Sequence, residues 1–328
     1  MHLLKPKNSQ KTANFKIAMK ILITGVSGLL GINLALELAK KHKVFGIVND
    51  HPLQMTALSA KKVFDVFQAN LTIPGTLKLV MEKIQPDWII HCAALANLDA
   101  CESNPSLAHR LNAEVPGELA ALAASSGARL IHISTDAVFD GKKGDYDEVD
   151  LPNPLSIYAH SKLDGERRVL DANPEAAVAR VNLHGWSISG KRSLAEFFFY
   201  NLQAKKSVLG FTDVYFCPVL ANDLAPIFIA MLEKGLKGLY HTVSSESLTK
   251  YDFGMRIARK FGMDENLIRP SLVEEAGLKA PRSPCLTLKT EKLSSALGYK
   301  MPGISPGIES LYKLYQQAYP QKLHELSL

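Results

Sequence analysis

The apolar positions of this chain form short continuous runs that alternate with longer segments of helical periodicity. The hydrophobic residues in these runs do not alternate with polar ones. Such runs are typical of parallel strands that helices cover on both faces. The pattern predicts strands at residues 21–24, 44–48, 63–67, 88–92, 130–134 and 177–181.

The segments between these strands have helical periodicity. We predict helices at residues 33–41, 77–84, 106–126 and 156–171. Beyond Gly190 the alternation weakens and prolines become frequent. Helical stretches remain there at residues 222–233, 250–261 and 290–297. The order of elements predicts an α/β fold, a Rossmann-type doubly wound parallel sheet followed by a smaller mixed α/β region.

Composition and charge placement narrow the class of protein. The chain has 328 residues, of which 47% are hydrophobic and 21% charged, which is too apolar for a disordered chain. Lysines among the first 20 residues supply five of the six net positive charges, so the remainder has no basic face for nucleic acid. Apolar stretches end before the ~18 residues that a membrane span needs. We therefore expect neither a nucleic-acid nor a membrane partner.

The four cysteines and the histidines predict no metal site. Cys92, Cys101, Cys217 and Cys285 form no CxxC pair, and the histidines lack metal-ligand spacing. A reduced, cytoplasmic protein is expected. The basic residues 1–18 lack the apolar core of a secretory signal, and we expect them to form a disordered extension.

A glycine-rich turn, GVSGLLG at residues 25–31, directly follows the first strand and opens a helix. In a dinucleotide-binding turn the first glycine permits a tight bend, the second lets the backbone approach a pyrophosphate, and the third lets helix and strand pack closely. The helix N-terminus adds N–H donors and positive potential. The alternative is a turn that serves packing alone. The predicted cofactor contacts here are Gly25, Ser27, Gly28, Leu29, Leu30 and Gly31.

A tyrosine and a lysine, Tyr158 and Lys162, lie one helical turn apart after the fifth strand. Residues four apart share a helix face, so both side chains can address one site. A free phenol has a pKa near ~10, and a neighbouring ammonium lowers it towards neutral pH. Thr135, at the end of the fifth strand, could donate a hydrogen bond to the same reacting oxygen. By itself, Thr135 would more simply cap the next turn.

These elements, in this order and spacing, resemble the extended branch of the short-chain dehydrogenase/reductase superfamily, and more closely the dTDP-4-dehydrorhamnose reductase family. The resemblance covers nearly the whole chain from Met19. Its motifs are HISTDAVFDG at residues 132–141, LPNPL at residues 151–155, YAHSK at residues 158–162, Pro218 with DLA at residues 223–225, and Arg282 followed by Leu288 and KL at residues 292–293.

The resemblance implies roles for individual residues. Tyr158 would protonate a sugar keto oxygen, Lys162 would lower the tyrosine pKa and bind the nicotinamide ribose, and Thr135 would hydrogen-bond the reacting oxygen. Asn112 matches a helix asparagine that shapes the active site, although an ordinary surface amide is equally consistent with the sequence. Further cofactor contacts are implied at Asn70, Leu71, Ala93 and Ala94. The implied substrate contacts are Thr135, Asp136, Ala137, Tyr158, Asn182 and Arg282.

Two departures from the family pattern bear on the substrate, and a third bears on the cofactor. After the sixth strand the reductases usually have an Arg-Thr-Ser-Trp run whose tryptophan contacts the sugar. Here the segment reads RVNLHG at residues 180–185, one residue shorter, and Trp186 is displaced. Lys289 stands where an aspartate is common, and Asn70 replaces the usual aspartate near adenine. The rhamnose precursor is therefore not assured as the substrate.

The residue at the end of the second strand indicates whether the coenzyme is NAD or NADP. A carboxylate there would hold the ribose hydroxyls of NAD and repel a 2′-phosphate. Strand register places Val48 or Asn49 at that position, with Asp50 slightly late and no arginine following. We expect NADP(H) or NAD(H), with a preference for NADP(H), and a cofactor contact at Asn49.

The sequence predicts an NAD(P)H-dependent reductase of a nucleotide-linked 4-keto sugar. The alternatives are an epimerase or dehydratase of the same superfamily, and a regulatory subunit like the β subunit of methionine adenosyltransferase, whose C-terminal half resembles LTKY at residues 248–251. We expect an NAD(P)-binding domain at residues 19–185 with a returning segment near residues 213–245, and a mainly substrate-binding region at residues 186–328. A homodimer is also expected.

Overall fold

The computed structural model describes residues 18–49, 63–277 and 283–326, so the basic extension lies outside the described residues except for Ala18. Its strands are β1 (Lys20–Thr24), β2 (Lys43–Val48), β3 (Asp65–Gln68), β4 (Trp88–His91), β5 (Arg129–Thr135), β6 (Ala177–Val181), β7 (Leu183–His184), β8 (Val208–Phe211), β9 (Tyr215–Phe216), β10 (Val219–Leu220), β11 (Gly238–His241), β12 (Leu248–Thr249), β13 (Ile268–Ser271) and β14 (Cys285–Leu286).

The α-helices connect these strands and pack on the sheet. They are α1 (Leu29–Leu38), α2 (Thr76–Ile84), α3 (Leu98–Ser103), α4 (Pro105–His109), α5 (Val115–Ser126), α6 (Ile157–Ala172), α7 (Leu194–Gln203), α8 (Leu224–Glu233), α9 (Lys250–Phe261), α10 (Glu291–Leu297), α11 (Ile304–Gln316) and α12 (Tyr319–His324). Short 3-10 turns lie at Asp136–Val138, Ala221–Asp223, Glu265–Leu267 and Val273–Ala276.

Seven parallel strands form the central sheet in the order β11-β6-β5-β4-β1-β2-β3. This confirms the predicted Rossmann-type fold. The chain runs from β1 to β2 and β3 on one side and then returns to β4 on the other side of β1. The carboxyl ends of β1 and β4 therefore flank the crevice in which doubly wound sheets bind ligands.

Both faces of the sheet are buried, as the continuous apolar runs indicate. Ile21 and Ile23 belong to one apolar cluster and Leu22 to a second, because successive side chains of a strand point to opposite faces. The first cluster extends to Leu311 and Leu323 in the C-terminal helices. Each of these five side chains is at most 1% exposed.

The predicted elements are confirmed in type, with two differences in the helices. Helix α1 covers Leu29–Leu38 rather than residues 33–41: the glycine turn leads directly into it, and it ends before the lysines at residues 40 and 41. The single helix predicted over residues 106–126 consists of α4, a π-helical segment at Arg110–Glu114, and α5. A π-helical segment displaces the side chains that follow it, and such segments are frequent at functional sites.

The C-terminal half contributes to the main sheet through β11, which pairs with β6. The remaining strands form small sheets, β10-β7, β12-β9-β14 and β13-β8. The domain boundary near residue 185 stays a prediction, and the larger apolar cluster extends across it. Among the described residues, no helix is long and apolar enough to cross a membrane.

Candidate active site

The glycine turn between β1 and α1 is packed too closely for side chains at two of its positions. Gly25 has a φ of +69°, and a Cβ there would lie 2.7 Å from the Ala93 backbone. A Cβ on Gly31 would lie 2.3 Å from the Gly25 carbonyl oxygen. A Cβ on Gly28 would lie 3.1 Å from that oxygen and otherwise faces open space among the described residues. The turn therefore serves close packing and also leaves backbone accessible at Gly28.

The N-terminus of α1 is suited to an anion. Its N-cap residue, Gly28, provides no side-chain hydrogen bond, and the first turn contains no acidic residue. Exposed N–H groups at a helix N-terminus bind phosphates. Leu29 and Leu30 are 8% and 6% exposed, so a dinucleotide would contact them chiefly through their backbone, whereas Ser27 is partly exposed.

Gly31→Ala is expected to abolish dinucleotide binding, because its methyl group would push α1 away from the turn. A Cβ at residue 28 would lie 0.8 Å further from the Gly25 oxygen than one at residue 31. Gly28→Ala should therefore leave the fold intact and weaken binding by about tenfold or more. Isothermal titration calorimetry with NADPH would measure both affinities, and the melting temperature without ligand would report on folding. Unchanged affinity in both variants would contradict the assignment of this turn.

Asn112, in the π-helical segment, ties the loop after β4 to helix α6. Its Oδ1 accepts from the Leu95 N–H at 2.8 Å, and its Nδ2 donates to Leu95 O and to Ser161 Oγ, both at 3.0 Å. The side chain is 0% exposed, so the surface-amide interpretation is wrong. A Cβ on Gly165 would lie 2.1 Å from Asn112 O, which shows how closely α6 packs on this segment.

Thr135 and Tyr158 meet at the carboxyl edge of the sheet. Thr135 ends β5 and is 7% exposed. Its side chain hydrogen-bonds Tyr158. Tyr158 lies in the first turn of α6, and Ser156 caps that helix by accepting from the Ala159 N–H. Removal from water raises the pKa of Tyr158 to about 12, and hydrogen bonding with Thr135 opposes this rise. The phenol is therefore protonated at neutral pH.

Lys162 lies one turn further along α6 but points into the protein. Its Nζ donates to Ile133 O at 2.6 Å and lies 3.4 Å from His132 Nε2. Burial lowers the pKa of Lys162 to about 8, while Glu166 opposes this shift. Burial dominates the pKa of the phenol and Ile133 engages the lysine, so the lowering of the Tyr158 pKa by this ammonium stays a prediction.

The Lys162 pKa predicts a pH dependence of stability. Between about pH 8 and the ordinary lysine value of 10.5, the unfolded chain keeps a proton that the folded chain has released. Raising the pH through this window therefore stabilises the folded state. We expect the free energy of unfolding of the wild type to rise relative to Lys162→Met by about 1–3 kcal/mol across the window. Urea titrations of both proteins at several pH values would measure it, and parallel curves would contradict it.

A buried ion pair anchors helix α6 to the sheet. Arg180 on β6 donates to Glu166 through Nε at 2.9 Å and through a terminal nitrogen at 2.7 Å. Ser134 on β5 donates to the same carboxylate at 2.5 Å. The side chains of Arg180 and Glu166 are 2% and 5% exposed. Because Glu166 lies one turn after Lys162, this pair fixes the helix that carries Lys162 and Tyr158.

A cavity of about 130 Å³ opens beside Tyr158. Of the residues predicted to contact substrate, Tyr158, Ala137 and Asn182 line it. We call it the Tyr158 cavity; its other lining residues, which the sequence analysis missed as site residues, are Leu98, Leu155, Ser156, Val214, Tyr215, Phe216, Lys250, Ser283 and Leu286. Thr135 and Asp136 contact its wall through hydrogen bonds to Tyr158 and Asn182. Arg282 lies outside the described residues.

The residues predicted to contact adenine lie after β2 and β3. Asn49 is exposed just beyond the end of β2, whereas Asp50 lies outside the described residues. Asn70 accepts hydrogen bonds from the Thr72 N–H at 3.0 Å and from its hydroxyl at 2.7 Å. Leu71 is 5% exposed and packs in the second apolar cluster, so its side chain is not available to a ligand.

Trp186 does not take the place of a sugar-contacting tryptophan. It is 0% exposed, and its Nε1 donates to Leu311 O at 3.0 Å. Its ring packs against Phe199 and Tyr315 among the C-terminal helices. The displacement read from the sequence therefore moves this ring into the core, and Tyr215 and Phe216 provide the aromatic rings at the Tyr158 cavity instead.

The RmlD substrate binding domain family matches residues 19–317. A probable low-salt glycan biosynthesis reductase of Haloferax volcanii is 31% identical over 300 residues, which cover 89% of this chain and 97% of the relative. The methionine adenosyltransferase 2 subunit beta of Mus musculus is 33% identical over 302 residues, covering 89% of this chain and 87% of that subunit.

Solved structures agree with these sequence matches. The dTDP-4-dehydrorhamnose reductase of Bacillus anthracis, in complex with NADP, has a TM-score of 0.79 and 25% identity over 90% of this chain and 99% of that chain. A hypothetical dTDP-4-dehydrorhamnose reductase of Sulfolobus tokodaii has a TM-score of 0.76 and 28% identity over 87% of this chain and 97% of that chain.

Proposed function

The chain belongs to the RmlD substrate binding domain family, and on this premise we propose that it is an NAD(P)H-dependent reductase of a nucleotide-linked 4-keto sugar. The observation that carries the proposal is the meeting of Thr135 and Tyr158 at the Tyr158 cavity, at the same sheet edge as the glycine turn. A proton donor and a dinucleotide turn at one edge suit the reduction of a carbonyl group.

The glycine turn fits a dinucleotide. Gly28 offers an open backbone surface, and the N-terminus of α1 offers N–H donors for a pyrophosphate. Ala93 and Ala94, in the loop against Gly25, would line the nicotinamide side. A bound NAD(P)H supplies the hydride. The relative from Bacillus anthracis is a complex with NADP, which supports the preference for NADP(H).

The chain's own contribution is the positioned acid. Tyr158 holds its proton at neutral pH and lies where a sugar carbonyl can enter the cavity. As the tyrosine gives up that proton, a hydrogen bond from Thr135 stabilises the phenolate, because donation to the charged form lowers a pKa. Lys162, whose Nζ donates to Ile133 O, adds positive charge one helical turn after Tyr158. General acid catalysis of this kind contributes about 10²–10⁴ in rate.

Coenzyme oxidation with a panel of nucleotide-4-ketosugars tests the proposal. We expect stoichiometric oxidation of NADPH, and more slowly of NADH, with at least one member of the panel. Conversion of a sugar without net coenzyme consumption would instead favour an epimerase or dehydratase. The homodimer stays a prediction that light scattering would check.

A second candidate is a regulatory subunit, because the 33% identity to methionine adenosyltransferase 2 subunit beta extends over 302 residues. The presence of Tyr158 and Lys162 does not distinguish a reductase from a regulatory subunit. Stable co-purification with a methionine adenosyltransferase, a change in its kinetics on addition of this protein, and no reduction of any ketosugar would support the subunit and exclude the reductase.

A further inference from the structure

A buried carboxylate, Asp136, contacts the wall of the Tyr158 cavity from the protein side. It is 4% exposed. Its Oδ2 accepts from Asn182 Nδ2 at 2.5 Å, and its Oδ1 accepts from Thr135 Oγ1 at 3.1 Å. Thr135 also hydrogen-bonds Tyr158. Hydrogen bonds therefore connect Asn182, Asp136 and Thr135, and Thr135 adjoins the phenol of Tyr158.

The direction of these hydrogen bonds depends on a single proton. A threonine hydroxyl has one proton to donate and two lone pairs that accept. An ionised Asp136 only accepts, so the Thr135 proton points to Asp136. Thr135 Oγ1 accepts from the Ala137 N–H at 3.2 Å, which leaves its second lone pair for the Tyr158 hydroxyl. Once Tyr158 has lost its proton, the phenolate needs a donor, and Thr135 must turn away from Asp136. The bond from Asn182 then remains to stabilise the carboxylate.

We propose that Asp136 is a positioning residue that sets the direction of the Thr135 hydroxyl, with Asn182 holding the carboxylate while that hydroxyl turns towards Tyr158. This assigns Asp136 a contact with Thr135 rather than with substrate. The inference rests on the proposed reduction for its effect on turnover, whereas the hydrogen bonds themselves exist independently of any substrate.

Charged and titratable groups face Asp136 from three packed elements. They are Lys250 at the start of α9, Tyr158 on α6, and Cys217 between β9 and β10. Lys250 and the bonds from Asn182 and Thr135 favour the ionised carboxylate, whereas burial opposes it and raises the pKa of Asp136. The negative charge of Asp136 in turn raises the pKa of Tyr158.

Two variants should shift the ionisation of Tyr158 in opposite directions. Asp136→Asn replaces the charged acceptor that draws the Thr135 proton with a weaker, neutral one, so the pKa of Tyr158 should fall by about one unit. Asn182→Ala leaves Asp136 with fewer donors and a stronger hold on Thr135, so the pKa of Tyr158 should rise. ¹³Cζ-tyrosine NMR titrations would measure both, with Tyr158→Phe to assign the signal and circular dichroism to confirm folding at each pH.

The Thr135→Val background separates positioning from a direct effect of charge. In the Thr135→Val background, Asp136→Asn should lower the Tyr158 pKa by at most about one third of the amount seen with Thr135 present. The effects of residues that act through one hydrogen-bond network are not additive. An equal shift in both backgrounds, or shifts of the same sign in Asp136→Asn and Asn182→Ala, would overturn the proposal. If Asp136→Asn does not fold, Asn182→Ala provides the test: a rise in the Tyr158 pKa supports the proposal, and a fall contradicts it.

Turnover provides a separate readout. In an active reductase, Asp136→Asn should lower kcat about tenfold with KM for the sugar nearly unchanged, and should move the alkaline limb of kcat to lower pH. The NMR pattern without ketosugar reduction would contradict the proposed function and leave the inference standing. Reduction without the NMR pattern would contradict the inference alone.

Discussion

Tyr158→Phe is expected to lower kcat for ketosugar reduction by about 10²–10⁴ while the affinity for NADPH stays within about twofold of the wild type. The substitution removes only the hydroxyl that meets Thr135 at the cavity and keeps the ring that packs there. Single-turnover kinetics with saturating NADPH would measure the chemical step, and fluorescence titration would measure the coenzyme affinity.

The matched control for this prediction is Tyr299→Phe. Tyr299 is 47% exposed and is not among the residues that line the Tyr158 cavity. Its loss should leave both kcat and NADPH affinity unchanged. If Tyr158→Phe retained most of the activity, another group would deliver the proton, and the role assigned to Thr135 would be withdrawn with that of Tyr158.

Glu166→Gln should lower the free energy of unfolding by about 3–5 kcal/mol, because it leaves the buried Arg180 guanidinium without its charged partner. Arg180 is 2% exposed, so water cannot replace the lost carboxylate. The anchor of α6 to β5 and β6 would weaken as well, since Ser134 donates to the same group. Urea unfolding followed by circular dichroism would measure the loss.

An exposed ion pair offers the comparison. Glu175 and Lys237 lie 2.8 Å apart with side chains 76% and 59% exposed. Glu175→Gln should therefore change the free energy of unfolding by no more than about 1 kcal/mol. Equal effects of Glu166→Gln and Glu175→Gln would show that the buried pair does not hold the helix.

The sheet could be predicted from the sequence because each central strand is a short apolar run between helical segments. Ile21, Leu22 and Ile23 are all apolar, and so short a run between turn residues is typical of a strand buried on both faces. The start of α1 was harder to predict, because Leu29 and Leu30 belong both to the glycine-rich motif and to the first turn of the helix. The π-helical segment at Arg110–Glu114 was missed because the apolar pattern of the sequence does not reveal a wider turn within a helix.

The site was predicted in part. Spacing along one helix places Tyr158 and Lys162 on a common face, and Thr135 follows from its position at a strand end. The linear order contains no sign that Lys162 is bound to Ile133, that Tyr215 and Lys250 reach the same cavity, or that Trp186 packs in the core. These facts depend on contacts between residues far apart in the chain.

The amino-acid sequence by itself determined the order of strands and helices, the glycine turn, and the residue types available at the sheet edge, because local periodicity and spacing are properties of neighbouring residues. Only the tertiary structure decided the state of those groups. Burial keeps the Tyr158 proton in place and lowers the pKa of Lys162. The bonds that Asp136 accepts from Thr135 and Asn182 join the end of β5 to the end of β6. Desolvation and hydrogen bonding act through space, so they are set when the chain has folded.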